Sequence, residues 1–185
     1  MEKQQDTKTE LILKAAQVFN QQGYHQASIS TLAEACGVKA SLFYYYFQNK
    51  EDLMEAVLEY ILDISTRKLK IMAADNGLSL AEKLGKIRRF MEKLYLHNPG
   101  GCIMANTVLE TALFSPKFIG VLKAFFDEWI DAYQLLYQTH YQAEKARELA
   151  EATVQDIEGG IMLMKLYGDK KYLMNALDRS ERLLR

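Results

Sequence analysis

The sequence lacks several things, and each absence narrows what the chain can be. Two prolines in 185 residues leave long stretches free to remain helical. Two cysteines, Cys36 and Cys102, give no disulfide framework and suit a reducing compartment. The histidines, His25, His97 and His140, stand far apart and outside any E-x-x-H spacing, so a helical metal site has no support. No apolar run reaches the about 20 residues a membrane-spanning helix needs. The polar start, MEKQQDTKTE, carries no apolar secretory segment, and the expected location is cytoplasmic. There is no G-x-S-x-G nucleophile motif and no G-x-x-x-x-G-K-[ST] phosphate loop, so neither catalysis nor a cofactor is expected. Charge of one sign is also missing: the formal net charge is −1, and any nucleic-acid contact must be local. No arginine occurs before Arg67, which removes bidentate guanine reading from the first third of the chain.

What is present is helix-forming. The chain is 49% hydrophobic and 25% charged, and Leu, Ala, Lys, Glu, Met and Gln dominate. Thr7-Lys8-Thr9-Glu10 has capping-box spacing, followed by Leu11, Ile12, Ala15, Ala16, Val18 and Phe19 at helical intervals and a stop at Gly23. Ser28 and Ser30 offer caps for a short helix, Thr31 to Cys36. Gly37 supplies a turn, and a third helix spans about Lys39 to Tyr46. Asn49 can cap a fourth that runs to about Ala74. Ser79-x-x-Glu82 opens a fifth, to about His97. Cys102 to Phe114 is a compact apolar helix. Ser115-Pro116 reads as a cap and first-turn proline opening a helix to about Tyr141. Glu144 to Tyr167 and Lys170 to Leu184 complete the set. No stretch alternates over strand length. The fold class is all-α with about nine helices: residues 1–50 as a small N-terminal domain and 51–185 as a larger helical one.

The run Cys36-Gly37-Val38-Lys39-Ala40-Ser41-Leu42-Phe43-Tyr44-Tyr45-Tyr46-Phe47 sets the functional question. Consecutive helical residues point about 100° apart, so four aromatics in a row cannot all be core. Ala33, Gly37, Val38 and Phe43 have the spacing of a helix-turn-helix: a small residue at the crossing, a glycine turn and an apolar lock. The second helix is then free to enter a DNA major groove. Phe47 and Leu42 or Phe43 point inward, leaving Tyr44, Tyr45 and Tyr46 to fan over the remaining arc. A tyrosine hydroxyl can bond a phosphate oxygen or a base edge. Charge helps little: Lys3, Lys8, Lys14, Lys39 and Lys50 face Glu2, Asp6, Glu10 and Glu34, a net of +1 through residue 50. Binding therefore calls for two copies, hydroxyls and backbone contacts.

The stretch from Ser28 to Leu53, SISTLAEACGVKASLFYYYFQNKEDL, closely resembles the N-terminal signature of TetR-family transcriptional regulators. The match extends over residues 8 to about 57. Phe43 stands where leucine is usual, and Leu42 where a small hydroxyl residue is common. Gly101-Cys102-Ile103-Met104-Ala105-Asn106 and Glu158-Gly159-Gly160 are similar to short motifs of the ligand-binding domains in that family. The resemblance implies that Ser30 and Thr31 meet the DNA backbone and that Lys39, Ala40, Ser41 and Leu42 lead the recognition helix. It implies that Tyr44 and Lys50 meet phosphate and Tyr45 faces the groove. Tyr46 falls between groove and core.

The same resemblance implies an effector cavity and a dimer. Phe90, Met91, Tyr95, Met104, Phe125, Trp129 and Tyr133 recur at roughly helical spacing; as core they need no further role, and as a cavity lining they suit a small apolar or aromatic effector. Val154, Ile157, Ile161 and Met164 form one apolar stripe, and Leu173 and Leu177 part of a second. Burial within one chain would account for both stripes; the resemblance favours two-fold pairing into a four-helix bundle. Cys102 at a helix start could be a sensing thiol or a small packed residue. The leading function is a ligand-responsive repressor that binds a palindromic operator as a homodimer. The alternatives are a small all-α ligand-binding protein or enzyme using the aromatic cavity, and a DNA-binding module without effector.

Overall fold

The computed structural model describes residues 2–184, with side chains from Thr7 to Leu184. The side chains of Glu2, Lys3 and Asp6, used above in the charge count, lie outside the described residues. Among the described residues there are nine α-helices and no strand. They are α1 (Glu2–Gln22), α2 (Ile29–Cys36), α3 (Ala40–Tyr46), α4 (Lys50–Ala74), α5 (Leu80–Tyr95), α6 (Ile103–Thr111), α7 (Ile119–Tyr137), α8 (Ala143–Tyr167) and α9 (Lys171–Arg182). No helix among them is long and apolar enough to cross a membrane.

Several boundaries follow the side-chain chemistry expected of them. The Ser28 hydroxyl accepts from the Thr31 amide and starts α2, two residues earlier than the Ser30 alternative. Gly37 closes α2 at φ +67°, a left-handed conformation that costs a residue with Cβ about 1–2 kcal/mol. Asn49 Oδ1 accepts from the Asp52 amide, and Asp52 reaches back to the Gln48 amide, fixing the start of α4. Ser79 and Glu82 form a complete capping box on α5.

Two expectations fail. The Thr7-x-x-Glu10 box does not start α1, because the helix is already running from Glu2. Ser115-Pro116 does not open one long helix. The Ser115 side chain makes no capping bond, so Pro116–Phe118 tightens into a 3-10 turn before α7 begins at Ile119. That helix ends at Tyr137, not Tyr141.

The chain divides into two compact units. The first contains residues up to Asp63 together with Ile103–Leu122, so α6 and the 3-10 turn belong with the N-terminal helices. Its core is Leu11, Ala15 and Phe19 of α1, Leu32 of α2, Phe43 of α3 and Leu53, Val57 and Leu58 of α4, all almost fully buried. The second contains Ile64–Cys102 and Lys123–Arg185. Here α8 packs along α9, and Gly160 makes that possible: a Cβ there would lie 2.9 Å from the Tyr172 carbonyl oxygen. Glycine is required by the close approach, which backbone atoms cannot yield.

Candidate nucleic-acid interface

The candidate interface comprises α2, the Gly37 turn and α3, with α2 packed on α1 and α3 on α2. Lys14 Nζ donates to the Cys36 carbonyl at 3.1 Å, tying the end of α2 to α1. The Val38 amide donates to the Ala33 carbonyl at 3.0 Å and holds the turn. Phe43 is 1% exposed and Phe47 6%, so the inward pair is settled in favour of Phe43. Leu42 is half-buried beside it.

The three tyrosines divide as their angles require. Tyr45 points away from Phe43 and is 65% exposed; Tyr44 is 60% exposed. Tyr46 is half-buried, its ring 4.8 Å from that of Tyr45 in an edge contact. Two large aromatic surfaces therefore stand in water beside a glycine turn. Lys39, the residue before α3, is exposed, as are Ser41 and Ser30; Ala40 and Thr31 are half-buried. The Thr31 hydroxyl is 2.9 Å from the Ser28 hydroxyl, so it serves the cap as well as the surface.

Lys50 has work the sequence did not announce. Its ammonium donates to the Tyr24 carbonyl at 2.8 Å and to the His25 carbonyl at 3.4 Å, and sits 4.4 Å from the centre of the Tyr24 ring. Burial lowers its pKa, and the charge of Glu110 opposes that shift. Glu110, on α6, accepts from the His25 amide at 3.2 Å, and its carbonyl lies 3.1 Å from His25 Nε2. Within this unit the turn between α1 and α2 is thus held by α4 and α6 together. The acidic start of α4 is also less hostile to phosphate than its sequence suggests. Lys117 pairs with Asp52 at 2.6 Å and Glu55 at 2.9 Å, and its hydrogen bond is the main cause of the lowered Asp52 pKa.

The second unit holds most of the expected cavity residues. Tyr95 of α5 and Phe125, Trp129 and Tyr133 of α7 are buried, with ring centres 6.2 Å apart for Tyr95–Trp129 and 4.9 Å for Phe125–Trp129. Met91 is buried and Phe90 half-buried. Met104, at the start of α6, is buried and falls in the first unit. Tyr95 also lines a cleft of about 630 Å³, whose rim carries His97, Lys165 and Asp169. Sequence reasoning missed Glu158 as a site residue. It lies four residues after Val154 and three before Ile161, at the edge of an apolar stripe with no basic partner, and that was the available signal. Its carboxyl is hydrogen-bonded by the Cys102 thiol, and burial pushes its pKa up to about 7. Tyr95 hydrogen-bonds Cys102, and burial raises its pKa well above the ordinary value. Cys102 itself is buried, 4% exposed, and ends the loop before α6.

The stripe residues named as a pairing face need correction. Val154, Ile157, Ile161, Met164, Leu173 and Leu177 are all buried inside the single chain. Those apolar positions are consumed by intrachain packing. The outward large apolar residues of α8 are Met162, Leu166 and Tyr167. Gly159, unlike Gly160, has open space where a Cβ would be. Among the described residues no group of three or more His, Cys, Asp or Glu could hold a metal ion.

A helix-turn-helix with exposed tyrosines on its second helix, carried by an all-α chain, defines a class of DNA-binding regulators. The family model described as bacterial regulatory proteins, tetR family, matches residues 11–57, and that of the LmrA/YxaF-like transcriptional regulator C-terminal domain matches residues 84–179. The chain belongs to the TetR family of transcriptional regulators and is a DNA-binding regulator. It is 24% identical to the uncharacterized HTH-type transcriptional regulator YxaF of Bacillus subtilis, over 97% of this chain and 96% of that protein. It is 30% identical to the HTH-type transcriptional repressor ComR of Escherichia coli, over 60% of this chain and 54% of that protein. The crystal structure of a TetR transcriptional regulator from Legionella pneumophila superposes with a TM-score of 0.88 at 24% identity, covering 97% of each chain, and shares the fold.

Proposed function

We propose that the chain acts as a homodimeric, effector-released repressor of a palindromic operator, with residues 1–50 reading DNA and residues 51–185 serving effector binding and dimerisation. The observation that carries this reading is the pair Tyr44 and Tyr45, both more than half exposed on the helix that follows the Gly37 turn. Tyr44, Ser30, Thr31 and Lys50 contact the DNA backbone; Lys39, Ser41 and Tyr45 read base edges, with Ala40 and Leu42 in apolar contact. Lys50 would use the one ammonium N–H left over from the Tyr24 and His25 carbonyls. Tyr46 buttresses Tyr45 by its edge contact.

Dimerisation through the outward face of α8, with Gly159, Met162 and Leu166 on one side of the helix, would place two recognition helices about 34–36 Å apart, in successive major grooves. The repressor sign is supported by the printed name of one relative, ComR. Effector binding among Phe90, Met91, Tyr95, Phe125, Trp129 and Tyr133 would favour a dimer whose spacing no longer fits the operator. The buried rings of Tyr95, Phe125, Trp129 and Tyr133 in the second unit support this, since an apolar lining of that kind suits a greasy ligand.

The test is an anisotropy titration of a duplex selected from random-sequence DNA, with light scattering on the complex. Two chains per palindrome and a loss of binding when one half-site is scrambled are expected. Equal affinity for selected and scrambled duplexes would overturn the reading.

A further inference from the structure

Two buried polar atoms of the second unit have no hydrogen-bond partner among the described residues: Trp129 Nε1, a donor, and Glu158 Oε1, an acceptor. A buried polar group without a partner is uncommon in a native fold and requires an explanation. These two do not stand in unrelated places. The Trp129 ring is 6.2 Å from that of Tyr95. Tyr95 hydrogen-bonds the Cys102 thiol, and the Cys102 thiol hydrogen-bonds Glu158. The Phe125 ring centre lies 4.9 Å from that of Trp129. Helices α5, α7 and α8 therefore bring one carboxylate, one indole N–H and three aromatic rings to a single location.

The charge balance there is one-sided. Among the described residues no lysine or arginine forms an ion pair with Glu158; its neighbours are the thiol and the phenol. A carboxylate among aromatic rings, without a cation, is what a cationic ligand would complete. The ring faces add attraction for a positive charge. Near neutral pH the raised Glu158 group stands between its two forms, so a bound cation can draw it into the carboxylate form at small cost. Lys165 and Lys170, on the rim of the cleft that Tyr95 lines, are exposed, and water screens them far more than it does the buried carboxylate.

Resting on the effector reading above, we propose that Glu158, Trp129 and Tyr95 form the polar end of the effector site and that the effector is an aromatic molecule bearing a protonated amine. The ammonium donates to Glu158 Oε1, the aromatic body lies against Tyr95, Trp129 and Phe125, and an ether or carbonyl oxygen on the ligand accepts from Trp129 Nε1. An internal water could also satisfy both orphaned atoms, and the experiment separates the two.

The full-length protein is titrated with three probes that share one aromatic body: 2-naphthylmethylamine, 2-naphthylmethanol and 2-naphthoate. Thermal midpoint and the emission of Trp129, the chain's one tryptophan, are followed. The amine should bind about tenfold or more tightly than the alcohol, as a charge-assisted hydrogen bond requires, and the carboxylate weakest. In Glu158→Gln, which keeps the side-chain shape, the advantage of the amine over the alcohol should fall to near unity. Should that variant fold poorly, the ranking of the three probes on the unaltered protein still decides. Equal binding of amine and alcohol, tighter binding of the carboxylate, or no binding of the amine overturns the proposal. An amine that binds through Glu158 yet leaves the operator complex intact would sink the effector-release reading alone. Operator release by all three probes alike would sink this proposal and leave that reading standing.

Discussion

The Lys50 ammonium donates to the Tyr24 carbonyl at 2.8 Å, so the residue that begins α4 also clasps the turn between α1 and α2. Removing it acts twice. Lys50→Ala should cost about 1 kcal/mol of stability, the net worth of one such hydrogen bond, seen as a lower thermal midpoint. It should also weaken binding to selected and scrambled duplexes alike, and reduce the log–log salt slope by about 1 for each phosphate that a monomer no longer neutralises. A lower midpoint with an unchanged salt slope would leave Lys50 as a clasp only.

Tyr44 and Tyr45 should separate by kind of effect. Tyr44→Phe removes a hydroxyl from an exposed position and, on the proposed phosphate contact, should weaken binding to every sequence equally. Tyr45→Ala should relax discrimination at particular base pairs by roughly 1–3 kcal/mol. Competition binding against single-base variants of the selected duplex distinguishes them. A uniform loss for Tyr45→Ala would remove it from the groove.

The two faces of α8 give opposite expectations. Ile157 and Ile161 are 0% and 2% exposed, so Ile157→Arg or Ile161→Arg should bury an unpaired charge and unfold the second unit. Leu166→Arg and Met162→Arg change exposed positions and should leave the helical signal by circular dichroism unchanged while splitting the dimer in light scattering. Gly160→Ala should destabilise, because its Cβ would press on the Tyr172 carbonyl oxygen, whereas Gly159 has room. A folded, fully dimeric Leu166→Arg/Met162→Arg double variant would move the interface elsewhere.

Glu158 should make stability fall as pH rises. Its carboxyl titrates at about 7 in the folded chain, raised by burial from an ordinary value of 4.5 despite the Cys102 hydrogen bond. Between those values the folded state holds a proton that the unfolded state has lost. Stability is therefore highest below pH 4.5 as far as this group is concerned, and declines until pH passes 7, by up to about 3 kcal/mol. Tyr95, which faces it through Cys102, stays protonated through that window, because burial holds its pKa well above the ordinary value. Urea midpoints measured from pH 5 to 8 should decline less steeply in Glu158→Gln; equal slopes in both proteins would show that the carboxyl is not raised.

The sequence by itself determined most of the local structure and the class of protein. Capping pairs such as Asn49 with Asp52 and Ser79 with Glu82 act over three or four residues, so they are legible without a fold. The same holds for Ala33, Gly37, Val38 and Phe43, whose spacing dictates the helix-turn-helix, and for the angular fan that puts Tyr45 outward and Phe43 inward. Tertiary structure alone decided what depends on residues distant in sequence. Lys50 looked like a free cation, but Tyr24 and His25 occupy it from more than twenty positions away. The stripe of Val154, Ile157 and Ile161 was equally suited to a partner chain or to its own, since apolar area carries no address; burial within the single chain decided it. Glu158 read as one acid in a short motif. Its meaning came from Tyr95, Cys102 and Trp129, because a side chain's desolvation and its missing partner exist only once the surrounding helices have closed around it.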